Sequence, residues 1–204
     1  MVEPGLGRAY LGAMSEGSTP KGLERVAAEA RKQAPGRGLP PVHLWNPAHS
    51  GEIDIVIEAN GQWRHEGAII SREALVRLFS TVLRKDPDGY WLVTPVEKMK
   101  ITVVDAPFVA VAAEERDGVL SFTTNVGDTV EAGPDNPIRV EVDAESGEPR
   151  PYLHVRRGLE ALINRPVFYQ LVEMAEERPG PDGAVYGVTS HGQWYPLGKA
   201  EATA

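Results

Sequence analysis

The sequence contains no cysteine, which excludes disulfides, thiolate zinc sites, iron–sulfur clusters and cysteine nucleophiles. Basic residues are also in deficit, because 21 Lys and Arg face 29 Asp and Glu and give a formal net charge of −8 at pH 7. An acidic surface repels a polyanion, so we expect no nucleic acid polymer as a partner. A small local anion site is still compatible with this charge balance.

Long apolar runs are absent as well. No stretch approaches the roughly 20 apolar residues that cross a bilayer. The N-terminal sequence MVEPGLGRAYLGAM has neither the basic start nor the apolar core of a signal peptide. We therefore expect a cytoplasmic protein without a membrane span.

Catalytic motifs are sparse. The five histidines form no HExxH arrangement, and the chain has no GxSxG elbow, no GxxxxGK phosphate loop and no GxGxxG after a strand. These absences predict no metal and no cofactor, and they favour a binding protein over an enzyme.

The chain has 204 residues and 42% hydrophobic content, which suits one large domain or two small ones. The first 40 residues differ in composition from the rest and are predicted to form a helical arm that packs on a domain. A Ser/Thr/Pro start signal opens its short Ala-rich helix at about Lys21, and Pro35-Gly36 closes the helix after Gln33.

The segment IDIVIEANGQWRHEG, residues 53–67, is typical of a β-hairpin, because isoleucine recurs at every second position of its first strand. A two-residue loop would set Trp63 opposite Glu58. A three-residue loop with Gly61 in a left-handed bulge sets Trp63 opposite Ile57 instead. We predict the second register, because it keeps Trp63 in the core on the isoleucine face and leaves Asp54 and Glu58 on the opposite face.

Residues 71–85, SREALVRLFSTVLRK, show the periodicity of a helix with Ser71 as the N-cap. One apolar stripe would contain Leu75, Leu78, Phe79, Val82 and Leu83. Five segments with turn signals between them then predict short strands: YWLVTP, KMKITVVD, FVAVAAEE, VLSFTTN and IRVEVD. Their spacing indicates an antiparallel sheet or a small barrel.

A last helical region is predicted over residues 156–177, RRGLEALINRPVFYQLVEMAEE, with a break or kink and a restart at Pro166. The tail VTSHGQWYPLG is predicted to return as an edge strand. The segment IRVEVDAESGEPR, residues 138–150, also matches the first hairpin weakly, and four positions agree with one inserted residue: Ile55, Ile57, Ala59 and Gly61 with Val140, Val142, Ala144 and Gly147.

Several stretches are similar to the proteobacterial family named domain of unknown function 1285: LPPVHLWNPAHSGEIDI, NGQWRHEG, ISREALVRLFSTVLRKDPDGYWLVTPVEKMKITVVDAPF and YLHVRRGLEALINRPVFYQLV. The likeness runs from about Leu39 to Gly198, and the LVTPVEK block makes it specific. The resemblance implies a bacterial protein with a duplicated α+β architecture and a C-terminal half similar to pleckstrin-homology-like barrels. It also implies a ligand site between the halves and a role in signal transduction.

These patterns together predict an α+β fold in three parts. Residues 1–40 form the helical arm, residues 41–87 an N-terminal α+β repeat, and residues 88–204 a C-terminal α+β repeat with the pleckstrin-homology-like shape.

Both predicted helices begin with arginine, although the helix dipole opposes a cation at this end by roughly 0.3 to 1 kcal/mol. Guanidinium groups beside free backbone donors suit a phosphate or a carboxylate. We therefore predict that Arg72, Arg156 and Arg157 bind an anion in a cleft between the halves. The alternative is that acidic residues, namely Glu73, Glu160 or Asp105, hold these arginines in surface ion pairs.

Five further residues complete the predicted site: Lys98 for charge, Thr94 for a hydroxyl, Glu97 as an acceptor, and Trp45 or Tyr152 for stacking on a base. The predicted function is a binding and regulatory protein that holds a small anionic ligand, such as a nucleotide, and reports it to a signalling partner. Two alternatives stay open. One is a hydrolase that uses His65 with Glu66 or Glu97, and the other is a protein-interaction module that binds a peptide or helix without a small ligand.

Overall fold

The computed structural model describes residues 21–33, 38–181 and 183–199. Within them the chain forms three α-helices, two six-stranded sheets and one three-stranded sheet, so the fold is mixed α+β. The helices are α1 Lys21–Gln33, α2 Glu73–Thr81 and α3 Arg165–Glu173, with a short 3-10 helix at Val42–Leu44. None of these helices is long and apolar enough to cross a membrane.

The strands follow the chain in three groups. The first sheet contains β1 His49–Ile57, β2 Trp63–His65, β3 Ala68–Ile69, β4 Leu83–Asp86, β5 Gly89–Val93 and β6 Glu97–Val103. The second contains β7 Phe108–Arg116, β8 Val119–Thr124, β9 Thr129–Glu131, β10 Ile138–Val142, β11 Pro149–Arg156 and β12 Leu159–Ile163. The third contains β13 Glu176–Gly180, β14 Gly183–Ser190 and β15 Gln193–Lys199.

Both six-stranded sheets have the same topology. Their strand orders are β3-β2-β1-β6-β5-β4 and β9-β8-β7-β12-β11-β10. In each sheet one parallel pair, β1 with β6 or β7 with β12, joins two antiparallel meanders. The strand β1 therefore corresponds to β7, and β10 corresponds to β4. The predicted match of residues 53–67 with residues 138–150 was wrong. The first segment lies in β1 and β2, whereas the second lies in β10 and the start of β11, which correspond to β4 and β5.

The two halves meet at a short connection. Residues 104–107 lead from β6 to β7, whereas the predicted boundary at residue 87 falls in the turn between β4 and β5 of the first sheet. The helices occupy different places in the two halves, since α2 lies between the two meanders of the first sheet and α3 follows the second sheet.

The predicted hairpin register is confirmed. Trp63 lies opposite Ile57, and the loop closes with a bond from the Glu58 N–H to the Gln62 carbonyl. Trp63 is 1% exposed and stacks on Phe79 of α2, with ring centroids 6.3 Å apart. The hairpin therefore supplies its large side chain to the core and not to a binding surface.

The arm helix α1 is confirmed over Lys21–Gln33, and the rest of the predicted 1–40 arm lies partly outside the described residues. The buried face of α1 consists of Leu23, Val26, Ala27 and Ala30. This face packs beside α2 on the first half, as expected of an amphipathic helix.

The predicted helix over residues 71–85 is shorter than expected. Its N-cap is Arg72 and not Ser71, and the helix ends at Thr81. Leu83 begins β4 instead, because the turn at Pro87-Asp88 folds this segment back onto β5. A helical apolar stripe cannot reveal this change, since both Leu75 in the helix and Leu83 in the strand are buried.

The predicted helix over residues 156–177 was wrong in its first half. Residues Leu159, Ala161 and Ile163 are buried at alternate positions of strand β12. The helix α3 starts only after the N-cap Asn164, with Pro166 in its first turn. The tail forms the two antiparallel strands β14 and β15, and β15 lies at the edge of the third sheet.

Two-residue turns explain this error. Four turns have positive φ at both central residues: Glu66-Gly67, Asp117-Gly118, Arg157-Gly158 and His191-Gly192. Such turns match the twist of paired strands, and they need a residue like glycine that accepts positive φ. Because Arg157-Gly158 is one of them, β11 and β12 form a hairpin where a helix start was expected.

The buried α2 side chains generate a stability prediction. Phe79→Ala should lower the free energy of unfolding by about 3 to 5 kcal/mol, because Phe79 is fully buried against Trp63. Leu78→Ala should cost less, because Leu78 is only partly buried at the margin of the core. Urea denaturation measures both losses, and equal losses would contradict the observed helix orientation.

Candidate functional site

The three arginines of the predicted anion site occupy different structural environments. Arg72 is exposed and is itself the N-cap of α2, one position before the first turn in which it was predicted. Arg156 instead ends strand β11, and Arg157 lies in the hairpin turn that follows. Neither opens a helix, so the argument from the helix dipole applies to Arg72 alone.

Arg156 joins the two halves of the molecule. Its guanidinium donates to the Ser80 carbonyl of α2 at 2.9 Å and forms an ion pair with Asp128. The group also lies 4.9 Å from the ring centroid of Phe108. Its acceptor Ser80 is in the last turn of α2, where carbonyls lack helical partners and the dipole favours a cation.

Arg72 is at the start of α2, whereas Arg156 contacts the other end of this helix from strand β11. The eight residues from Arg72 to Ser80 span about 12 Å at 1.5 Å per residue. The structure therefore does not bring the predicted arginines together at the start of α2.

The three predicted residues of the TPVEK block lie at the start of β6. Thr94 is fully buried, and its hydroxyl donates to the Glu97 carbonyl and accepts from the Glu97 N–H. The Glu97 carboxylate is buried and pairs with Arg25 of α1 at 2.9 Å. Lys98 lies over the Trp91 ring, 4.2 Å from its centroid, so these side chains hold the first half together.

The two predicted stacking residues are also engaged. Trp45 is half-buried against the core. Tyr152 is buried, and its hydroxyl donates to Asp105 at 2.8 Å. Burial, followed by this hydrogen bond, raises the pKa of Tyr152 to about 12, and the Arg139 guanidinium covers one face of its ring at 4.4 Å.

The structure does not assemble the predicted hydrolase pairs. His65 is buried opposite Ile55 of β1, whereas its neighbour Glu66 is exposed in a turn. Glu97 lies opposite His49 in the β1–β6 register. His49 is six residues from Ile55 along β1, so His65 and Glu97 are separated by about 20 Å. Among the described residues no group of three His, Asp or Glu side chains could hold a metal ion.

A cluster of three arginines does lie at the boundary of the halves. Arg84, Arg156 and Arg157 line a cavity of about 10 Å³, which has room for about one water molecule. Arg84 is held by Asp86 and by the carbonyls of Val42 and Trp45. Arg157 is exposed in its turn.

A much larger cavity lies in the C-terminal half. The C-terminal groove, about 850 Å³ in volume, runs between β10, α3 and the β14–β15 hairpin. Its apolar walls include Val140, Val142, Phe168, Val172, Tyr186 and Leu197. Three of these remain exposed: Val142 by 70%, Val172 by 46% and Tyr186 by 40%.

Beside the groove, β10 is the last strand of its sheet. The flanking bonds from His154 N–H to the Pro137 carbonyl and from Asp143 N–H to the Glu148 carbonyl fix the alternation of the β10–β11 ladder. In an antiparallel ladder every second residue directs its N–H and C=O away from the neighbouring strand. Among the described residues, the backbone groups of Ile138, Val140 and Val142 therefore have no strand partner, and they form the open edge of β10.

Comparisons with known proteins agree with the division into two halves. Residues 40–106 match the family model "Domain of unknown function (DUF1285), N-terminal domain", and residues 107–197 match "Protein of unknown function (DUF1285), C-terminal domain". The chain belongs to the DUF1285 family. The family resemblance seen in the sequence is thus confirmed.

Two crystal structures of DUF1285 family proteins are similar to the chain. The protein from Silicibacter pomeroyi DSS-3 is 48% identical, with a TM-score of 0.77, and the alignment covers 86% of this chain and 95% of that chain. The protein from Shewanella baltica OS155 is 28% identical, with a TM-score of 0.49 and coverage of 58% and 90%. No curated protein matches the chain.

Sequence reasoning missed the groove of this DUF1285 chain, because its walls come from three separate segments of the C-terminal half. One local signal was available. Pro149 and Pro151 recur at every second position of β11, opposite Val142 and Val140. Proline has no N–H to donate, so this spacing indicates which backbone groups of the two strands do not pair with each other.

Arg156 generates a prediction about the contact between the two DUF1285 domains. Arg156→Ala should lower the free energy of unfolding by about 1.5 to 3 kcal/mol, because charged hydrogen bonds to Ser80 and Asp128 are lost. The matched control Arg116→Ala removes an arginine whose side chain is 83% exposed, and it should change stability by less than about 0.5 kcal/mol. Equal effects in chemical denaturation would show that Arg156 does not stabilise the domain contact.

Proposed function

We propose that the protein is a binding module with a regulatory role in signal transduction, and that it docks an extended segment of another polypeptide in the C-terminal groove. The observation that carries this proposal is the combination of an apolar groove with the open edge of β10. An extended segment could pair its backbone with that edge and place alternate side chains in the groove.

The size and chemistry of the groove support the proposal. A volume of about 850 Å³ lies within the range of specific ligand sites. Exposed large apolar side chains that line one concavity mark an interaction surface more often than scattered single ones do. Val142, Val172 and Tyr186 form such a set.

The charged residues of the groove contribute less. The Arg139 guanidinium is engaged by Glu160 at 2.6 Å, and this hydrogen bond raises the pKa of Arg139. Glu141 pairs with the same arginine. Because two carboxylates of the same chain already hold Arg139, apolar contact and backbone pairing dominate in the proposed mode.

We also propose that the C-terminal half has a pleckstrin-homology-like shape. In support of it, a six-stranded sheet is followed directly by helix α3 in the C-terminal half. Barrels of this kind serve many functions, so the shape by itself identifies no ligand. The proposed partner is therefore defined by the groove and by the open edge.

A peptide selection tests the proposed function. Random dodecapeptides displayed on phage should yield binders with apolar residues at alternate positions. Val142→Asp should weaken these binders at least tenfold, or by about 1.4 kcal/mol, because it puts a charge on the groove wall. The matched control Val111→Asp changes an exposed valine of β7 that is outside the groove. Binders that do not distinguish the two variants would contradict the proposal.

A second candidate function is the binding of a small phosphorylated ligand, such as a nucleotide, at the boundary of the halves. It is favoured by the arginine cluster there, in which the Arg157 side chain has no ion pair within the described part of the chain. Such a ligand would bind at the surface, because the cavity itself has a volume of only about 10 Å³.

A thermal-shift screen with nucleotides and pyrophosphate tests this candidate. A ligand at 100 times its dissociation constant should add about 2.7 kcal/mol of stability, and Arg157→Ala should reduce this gain. Arg116→Ala, which removes an exposed arginine in the hairpin turn region of β7, is the control. Stabilisation that survives Arg157→Ala would exclude the site.

A further inference from the structure

We infer that the open edge of β10 pairs with β10 of a second copy of this chain, in antiparallel orientation about Val140, to form a dimer with one continuous sheet. This inference rests on the proposed function, since it identifies the extended segment that docks at the same edge. Three independent features of β10 support it: its backbone, its charges and its burial.

The backbone of β10 has the geometry that this pairing requires. In an antiparallel pair, two opposed residues exchange both of their hydrogen bonds only if their N–H and C=O groups face each other. A two-fold axis at Val140 sets Val140 against its own copy and Ile138 against Val142 of the second copy. All three residues direct these groups to the open edge, so the pairing forms about six hydrogen bonds.

The charges of β10 are complementary to themselves. The same axis sets Arg139 opposite Glu141 of the second copy, and Glu141 opposite Arg139. Within one chain, Arg139 lies beside Tyr152 and pairs with Glu160 and Glu141, while Glu141 also lies beside Arg150. The pairing with a second copy gives each of these two charges a further partner of opposite sign. The signs therefore alternate across the joined strands, and opposite charges at facing positions stabilise a pair of strands.

The exposure of the apolar side chains of β10 increases along the strand, so an antiparallel partner would place its buried end beside the exposed end. Ile138 is 4% exposed beneath α3 and the β14–β15 hairpin, whereas Val142 is 70% exposed. Antiparallel pairing brings the exposed Val142 of each copy beside the covered end of the other. The apolar face of β10 thereby gains cover at the end where its own chain provides least.

The other sheet edges in the described part of the chain are less suited to pairing. Strands β3, β4 and β9 have only two, four and three residues. Pro179 lies in β13 and Pro196 in β15, and proline blocks an edge because it cannot donate. The strand β10 has five residues and no proline.

Sedimentation equilibrium of the full chain between about 1 and 200 μM tests the inference. The 22.2 kDa chain should sediment as a dimer that dissociates on dilution. Glu141→Arg should raise the dissociation constant about tenfold or more, because it sets like charges opposite each other at two places. Glu145→Arg, which makes the same charge change in the exposed turn after β10, should leave it unchanged.

A mixing experiment separates pairing from folding defects. Arg139→Glu should also weaken self-association, and it removes the bond to Glu160 within the chain. An equimolar mixture of Arg139→Glu and Glu141→Arg should nevertheless form heterodimers, because each charge then faces its opposite. Circular dichroism confirms that both variants are folded.

Three results would overturn the inference: a monomer over the whole concentration range, a dimer unaffected by Glu141→Arg, or a mixture that does not associate more tightly than either variant alone. If the chain is monomeric but selected peptides still require Val142, the self-pairing fails and the proposed peptide docking stands. If the chain dimerises through β10 but no selected peptide depends on Val142, the edge serves self-pairing alone and general peptide docking fails.

Discussion

The parallel pairing of β1 with β6, and of β7 with β12, holds each half of the molecule together. Each pair joins strands that are far apart in the chain, such as His49 and Glu97, so loop-closure entropy opposes it until the inner face of the sheet is covered. In the first half α1 and α2 provide that cover. In the second half α3 and the third sheet provide it, which leaves the outer strand β10 only partly covered and creates the C-terminal groove.

The contact between the halves depends on a few close approaches. The turn glycine Gly61 has a φ of +80°, and a Cβ at this position would lie 2.6 Å from the Asn125 side chain. Asn125 donates to the Gly61 carbonyl and accepts from the Val109 N–H. The residue that closes the first hairpin thus also fits it against the second sheet. Together with Arg156, this contact brings the described parts of the two halves close together, and the cavity beside Arg156 has a volume of only about 10 Å³.

The C-terminal groove is a better candidate for a binding site than the boundary between the halves. Arg156, Lys98 and Glu97 form ion pairs within the chain. A ligand would have to displace these partners, so the three side chains are poor candidates for ligand binding. Apolar side chains exposed beside an unpaired strand edge have no comparable use within the described chain. In the proposed function, a strand that binds in the groove would stabilise the folded protein by mass action.

The sequence alone predicts the local structure correctly wherever one periodicity and one turn signal agree. The register of Trp63 against Ile57, the helix α1 and the strands β5 to β8 follow from alternation, capping and turn residues, because these effects act between neighbours in the chain. Whether Leu83 and LEALI belong to helix or strand depends on tertiary contacts, since apolar residues satisfy either pattern until a partner strand is present. Tertiary contacts also set which acceptor each arginine binds and which strand lies at a sheet edge, because both depend on contacts between segments that are distant in the sequence.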